Sequence, residues 1–186
     1  MKNLINNFKL LNIKKNLIDN PKELLELINK CLKPKDIEKK QFGEVFTPMK
    51  LVNDMLKDLE DYWTNTYNEN IYTNKKLNWY DPAAGMGNYP IAIYYKLMEG
   101  LKNIIPNEQL RKKHIIEKQL YMSELNKKNC FIIKKIFDIN NEYKLNLYEG
   151  DSLNIELNEI FKINIFDIII GNSPYNEEIY SKGIYF

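Results

Sequence analysis

The chain has 186 residues, 44% of them hydrophobic, which suffices for one domain with a real core and would be cramped for two. Its 27 basic and 25 acidic side chains leave a net charge of +2, so no overall basic excess marks it as a nucleic-acid binder. Its two cysteines, Cys31 and Cys130, form no CxxC pair and have no histidine cluster beside them, which argues against a zinc site or a disulfide framework and fits a reducing setting.

Residues 1–40 carry ten lysines against five acids, a pattern that fits a solvated helix surface better than a nucleic-acid face. The opening stretch lacks the apolar core and cleavage site of a secretory signal, and no apolar run approaches the ~20 residues of a membrane span, so a soluble, cytoplasmic protein with no membrane partner is expected. The first predicted helix starts at Asn20, with Asn20 as cap, Pro21 in the first position, Glu23 reaching back, and Leu24, Leu27, Ile28 and Cys31 on one face. The segment TPMKLVNDMLKDLEDYW repeats the device, with Thr47 as cap, Pro48 as first residue and Val52, Met55, Leu56 and Leu59 as the buried stripe. FGEVFTP, residues 42–48, is therefore the approach to a helix N-terminus, a place suited to a carboxylate or phosphate. The asparagine-rich stretch from Tyr62 to Trp79 reads as a loop.

From Leu77 onward, short apolar runs alternate with helical stretches. LNWYDPA, QLYMSEL, KLNLYEGD and IFDIIIGNSPY are predicted strands, with helices at YPIAIYYKLMEGLKN and KKNCFIIKKIFDIN and a surface helix in PNEQLRKKHIIEKQ. This alternation predicts an α/β fold with a parallel sheet of about four strands. His114, the single histidine, sits among charges in the surface helix, where exposure is expected rather than a role as general base.

The ends of these strands carry the chemistry. DPAAGMGN follows the first strand, and Gly85 and Gly87 allow a tight turn and a close approach of backbone to a ligand. The second strand ends in Glu124, where such sheets commonly bond a ribose, and the third brings Asp151 to the same edge. Each acid alone could simply cap a turn. Together with the glycines they favour a nucleoside-containing ligand, and without a full GxGxxG or a Walker lysine, S-adenosylmethionine is more natural than a dinucleotide or triphosphate. The fourth strand ends in GNSPY, whose asparagine amide, stiffened turn and tyrosine could hold an exocyclic amine and stack its ring, although Asn-Ser-Pro is also an ordinary turn sequence.

In this order, FGEVFTP, DPAAGMGN, SELN, GDS and GNSPY resemble the motifs of the amino-group DNA methyltransferases, specifically the adenine-N6 enzymes, over residues 41–175. The resemblance implies a Rossmann-like methyltransferase fold preceded by an N-terminal helical segment, with S-adenosylmethionine as cofactor and no metal. It implies that Phe46 and Thr47 hold the methionine end of the cofactor and that Asp81, Pro82, Ala83, Gly85 and Gly87 line its pocket. Glu124 would hold the ribose and Asp151 the adenine of the cofactor. Asn172 and a carbonyl of the turn at Pro174 would accept hydrogen bonds from the target amine, while Tyr175 stacks on a flipped-out base. Ser173 stands where the family usually has proline and leaves adenine against cytosine open; Met86 replaces the usual serine of the glycine loop.

The expected organisation is an N-terminal helical extension, residues 1–40, and a methyltransferase catalytic domain, residues 41–186. Eleven residues follow Tyr175, whereas the resemblance implies three further strands and a target-recognition domain, so a truncated, fragmentary or split enzyme is expected. Its expected partners are double-stranded DNA and a second chain completing the sheet. The expected activity is site-specific adenine-N6 methylation in a restriction-modification setting. Two alternatives are a protein glutamine-N5 methyltransferase and a non-catalytic remnant serving as an interaction subunit.

Overall fold

A computed structural model describes residues 16–21, 23–24 and 47–173. Every expected strand forms, each at the heart of its apolar run: β1 (Trp79–Asp81), β2 (Leu120–Glu124), β3 (Asn146–Glu149) and β4 (Ile168–Ile169). All pairings are parallel, in the order β3-β2-β1-β4. Tyr80 of β1 aligns with Tyr121 of β2 on one side and Ile169 of β4 on the other. The chain thus steps outward from β1 through β2 to β3 and then crosses to the opposite side of β1. That reversal makes the carboxyl ends of β1 and β4 the switch point at which open α/β sheets bind their ligands.

Side chains alternate across the sheet, so each face has its own core. Trp79, Leu120, Met122 and Ile168 join the larger core with Val52, Leu56, Ile93, Leu97, Ile133 and Phe137. Tyr80 and Tyr121 point to the other face and pack with Phe161 and Phe166. Tyr80 stacks on Phe166 with ring centroids 4.5 Å apart, and its hydroxyl shares a 2.7 Å hydrogen bond with Ser123 Oγ. Burying each such ring contributes about 1.5–3 kcal/mol, which is what holds the short strands in place.

The helices are α1 (Met49–Tyr67), α2 (Asn88–Gly100), α3 (Glu108–His114), α4 (Lys127–Phe137) and α5 (Leu157–Phe161), with a π-helical stretch, Ile115–Gln119, joining α3 to β2. Four expectations change. The Asn-rich stretch after Tyr62 is no loop at its start: α1 runs on to Tyr67 and stops where Asn68 turns left-handed at φ 55°, and Ile71 and Tyr72 are buried beyond it. Met55 lies on the exposed side of α1, its sulfur accepting from the Tyr89 hydroxyl at 3.0 Å, while Val52 and Leu56 carry the stripe. The expected surface helix has a buried side formed by Arg111, Lys112, Ile115 and Ile116. His114 is half-buried, one ring nitrogen 2.9 Å from the Lys75 carbonyl.

Near the N-terminus, a 3₁₀ turn (Leu17–Asp19) precedes the first residues of the helix at Pro21. The capping expectation holds: Glu23 N–H donates to Asn20 Oδ1 at 3.4 Å and Asn20 Nδ2 to Glu23 Oε2 at 2.9 Å. Leu17, Ile18 and Leu24 are buried in the larger core, and the Tyr95 hydroxyl donates to the Ile18 carbonyl at 2.9 Å. The later residues of that helical face, Leu27, Ile28 and Cys31, lie outside the described residues.

Candidate active site

β4 is only two residues long, yet its end is held firmly. Asn78 N–H donates to Asp167 Oδ2 and Asp167 N–H to Asn78 Oδ1, both at 2.8 Å, and the Ile168 and Ile170 N–H groups bond the Asn78 and Tyr80 carbonyls. This clip fixes the register of β4 on β1, so Gly171 emerges against Asp81. A Cβ on Gly171 would stand 3.1 Å from the Asp81 carboxyl carbon and 3.3 Å from Pro82 Cδ, closer than side chains settle without movement.

Asp81 is buried, and Oδ1 accepts the Ala83 N–H at 3.0 Å, tightening the turn over the half-buried Pro82 and Ala83. Burial pushes its carboxyl up to about 7; the Ala83 bond works in the opposite direction and the nearby charge of Glu124 reinforces the rise. Oδ2 is buried and has no hydrogen-bond partner among the described residues. The turn then passes through Gly85 at φ 56° and Gly87 at φ 95°, left-handed positions that glycine occupies without strain. Met86 between them is buried in the core. Glu124 Oε2 accepts the Gly85 N–H, and Oε1 the Asn126 N–H, each at 2.7 Å.

Thr47 does not cap α1. Pro48 takes the cap position without a side-chain bond. The Thr47 hydroxyl instead accepts from Asn172 Nδ2 at 3.1 Å, and the Thr47 carbonyl accepts from Asn88 Nδ2 at 2.9 Å. Residues 125 positions apart in sequence thereby meet above the sheet. Asn88 Oδ1, at the start of α2, is a second buried acceptor without a hydrogen-bond partner among the described residues. Asp151 is occupied in its own turn, accepting from Leu153 N–H at 3.0 Å and Asn154 Nδ2 at 2.7 Å. Phe46, Pro174 and Tyr175 lie outside the described residues.

The family model for N-6 DNA Methylase matches residues 21–185. The chain belongs to this family. A stretch of 94 residues is 34% identical to an uncharacterized adenine-specific methylase of Mycoplasma pneumoniae, covering 50% of this chain and 21% of that protein. A modification subunit of a putative type I restriction enzyme from Vibrio vulnificus superposes with a TM-score of 0.51 at 16% identity, covering 82% of this chain and 26% of that one. The DrdV protein of a DrdV–DNA complex superposes with a TM-score of 0.53 at 18% identity, covering 74% of this chain and 14% of that one. These structural likenesses establish the methyltransferase fold.

Two residues at this candidate site escape a reading of motifs alone, Asn88 and Gly171. Asn88 closes DPAAGMGN and Gly171 opens GNSPY, and neither is assigned a role of its own within those motifs. The signal for Gly171 is that a strand end abutting a buried acid leaves no room for a side chain. Behind the site, the buried Cys130 thiol donates to the Glu124 carbonyl at 3.3 Å, and burial pushes it up to about 12, so it packs as an inert group. Among the described residues, no group of three or more His, Cys, Asp or Glu side chains could hold a metal ion, and no helix is long and apolar enough to cross a membrane.

Proposed function

We propose that this chain carries the cofactor and catalytic elements of an S-adenosylmethionine-dependent DNA adenine-N6 methyltransferase. The observation that carries the reading is the meeting of Thr47, Asp81 and Asn172 at the switch point between β1 and β4, with buried acceptors at Asp81 Oδ2 and Asn88 Oδ1. Buried acceptors without a hydrogen-bond partner among the described residues suit an ammonium group, which the methionine end of the cofactor possesses. Phe46, Thr47, Asp81, Pro82, Ala83, Gly85 and Gly87 are the proposed residues of that pocket, with Glu124 for the ribose and Asp151 for the adenine. S-Adenosylmethionine supplies a methyl group on a positively charged sulfur.

The chain's own part is to hold and orient the target. The Asn172 side-chain oxygen accepts a hydrogen from the exocyclic amine, which keeps electron density on the nitrogen that attacks. Pro174 is proposed to stiffen the turn so that its carbonyl takes the second hydrogen, and Tyr175 to stack on the extruded base. Positioning and electrostatics are the proposed sources of rate enhancement, with no covalent enzyme intermediate needed. Double-stranded DNA is the proposed partner. The matched family is one of DNA methylases, which leaves the protein-glutamine reading without support.

The deciding experiment incubates the full chain with methyl-labelled cofactor and unmethylated duplex DNA, then identifies the labelled nucleoside by mass spectrometry. N6-methyladenine is expected, lost in Asn172→Ala while cofactor affinity stays within a few-fold. Label in cytosine or in peptide glutamine, or equal activity in Asn172→Ala, would overturn the reading.

A further inference from the structure

We propose that Thr47, anchored by Asn88, is the positioning residue that sets the amide of Asn172 for methyl transfer, an inference that rests on the reading of the site given above. A primary amide has two nearly isosteric ends of opposite character, and half a turn about its last bond exchanges acceptor for donor. The target amine can be held only by the oxygen end. In this structure the nitrogen end donates to Thr47 Oγ1 at 3.1 Å, and this turns the oxygen branch away from Thr47. Thr47 is itself buried, so solvent competes weakly for the contact.

The start of α1 points the same way. A threonine before a proline at a helix start normally turns its hydroxyl to the free N–H groups and contributes about 1 kcal/mol as a cap. Here that bond is absent and the cap position falls to Pro48. A local stabilising contact is forgone for one to a residue 125 positions away. The Thr47 backbone needs a separate anchor, and the buried Asn88 side chain provides it by donating to the Thr47 carbonyl at 2.9 Å. A departure from local preference that a long-range contact explains is where a functional constraint is expected.

The test uses the full chain with Thr47→Val, which keeps the shape and removes the hydroxyl, and Thr47→Ser, which keeps it. Two readouts are taken: turnover at saturating cofactor with the cofactor Kd measured separately, and the nitrogen-15 side-chain amide resonances of Asn172. Thr47→Val is expected to lower turnover about tenfold, the worth of one hydrogen bond in orientation, and to shift the Asn172 amide resonances. Thr47→Ser should restore both to within about threefold of wild type and near-native shifts. If Thr47→Val does not fold by circular dichroism, Asn88→Ala is the second variant, expected to move the same resonances by loosening Thr47. A Thr47→Val protein with native turnover and unmoved Asn172 resonances overturns the proposal, as does one that loses cofactor affinity alone. A wild type that methylates no adenine, with Asn172 resonances still moved by Thr47→Val, overturns the activity reading and leaves the contact standing.

Discussion

Glu124 Oε2 accepts the Gly85 N–H and Oε1 the Asn126 N–H, each at 2.7 Å, so one carboxylate at the end of β2 ties together the turns that follow β1 and β2. Both bonds are charge-assisted and the side chain is buried, which makes them stronger than neutral ones. Glu124→Ala loses both and is expected to lower unfolding free energy by about 2–3 kcal/mol, whereas Glu124→Gln keeps one acceptor and should cost about 1 kcal/mol. Urea denaturation of the two variants checks the order. Equal losses would mean that charge, not bonding to the turns, is what the site needs from this residue.

Asp81 gives the site a pH signature. Its folded-state pKa, raised by burial to about 7 from 3.8, means that the folded form holds a proton which the unfolded chain has released. The folded state therefore binds more protons in that window, and stability falls as pH rises from about 4 through about 7, by at most ~1.4 kcal/mol per pH unit. Above that window the penalty is complete. Comparing wild type with Asp81→Asn between pH 5 and pH 8 isolates the contribution, and the variant should lack this part of the slope. A ligand bearing an ammonium prefers the ionised carboxylate, so cofactor affinity should tighten across the same interval in wild type and not in Asp81→Asn. Titration calorimetry at pH 6 and pH 8 reads it directly.

The sheet and the strand-end residues were legible because buried parallel strands need short apolar runs, and Asp81, Glu124 and Asn172 close three of them. The contact between Thr47 and Asn172 was not. A threonine before proline has a local explanation as a cap, and a motif reading that assigns it to the cofactor says nothing of a bond to Asn172, because that contact depends on how β4 is clipped to β1. The asparagine-rich stretch misled for a different reason. It is α-helical only over residues 62–67, the exposed end of α1, steadied by Trp63 packing on Tyr67 at 4.3 Å and donating to Glu69 Oε1 at 3.2 Å. Over residues 68–78 only the 3₁₀ turn Ile71–Thr73 interrupts turns and irregular chain. Lys112 and Arg111 read as solvent-facing by charge, yet are buried because each finds oxygen partners inside.

Gly171 should tolerate no side chain. Its Cβ would press on the Asp81 carboxyl and the Pro82 ring, both fixed by β1. Gly171→Ala is expected to displace Asp81 or push Asn172 off its contact with Thr47, costing about 1–3 kcal/mol in stability as overpacking does. Because the strain falls on the pocket and not on either core, cofactor affinity should fall at least as far as stability. Thermal melts with and without cofactor measure the two effects. An unchanged ligand-induced shift in the melting temperature would mean that the site has slack that the packing does not suggest.

Lys112 and Asp19 join the N-terminal segment to the body of the fold. The lysine side chain is 5% exposed and the aspartate 41%, with Nζ 2.6 Å from Asp19 Oδ2 and 5.3 Å from the centre of the Tyr143 ring. The asymmetry sets the expected result. Removing the half-exposed acid leaves a charge buried without its counter-ion, so Asp19→Ala should destabilise by about 2–3 kcal/mol, less than the 3–5 typical of a wholly buried pair because water reaches one side. Lys112→Met replaces the buried stem with apolar volume and leaves behind only an acid that solvent can serve, so its cost should be about 1 kcal/mol or less. Denaturation of the two variants decides whether burial or charge pairing dominates. If Lys112→Met proves the worse of the two, the contact with the Tyr143 ring, not the ion pair, is what fastens Leu17 and Ile18 into the core.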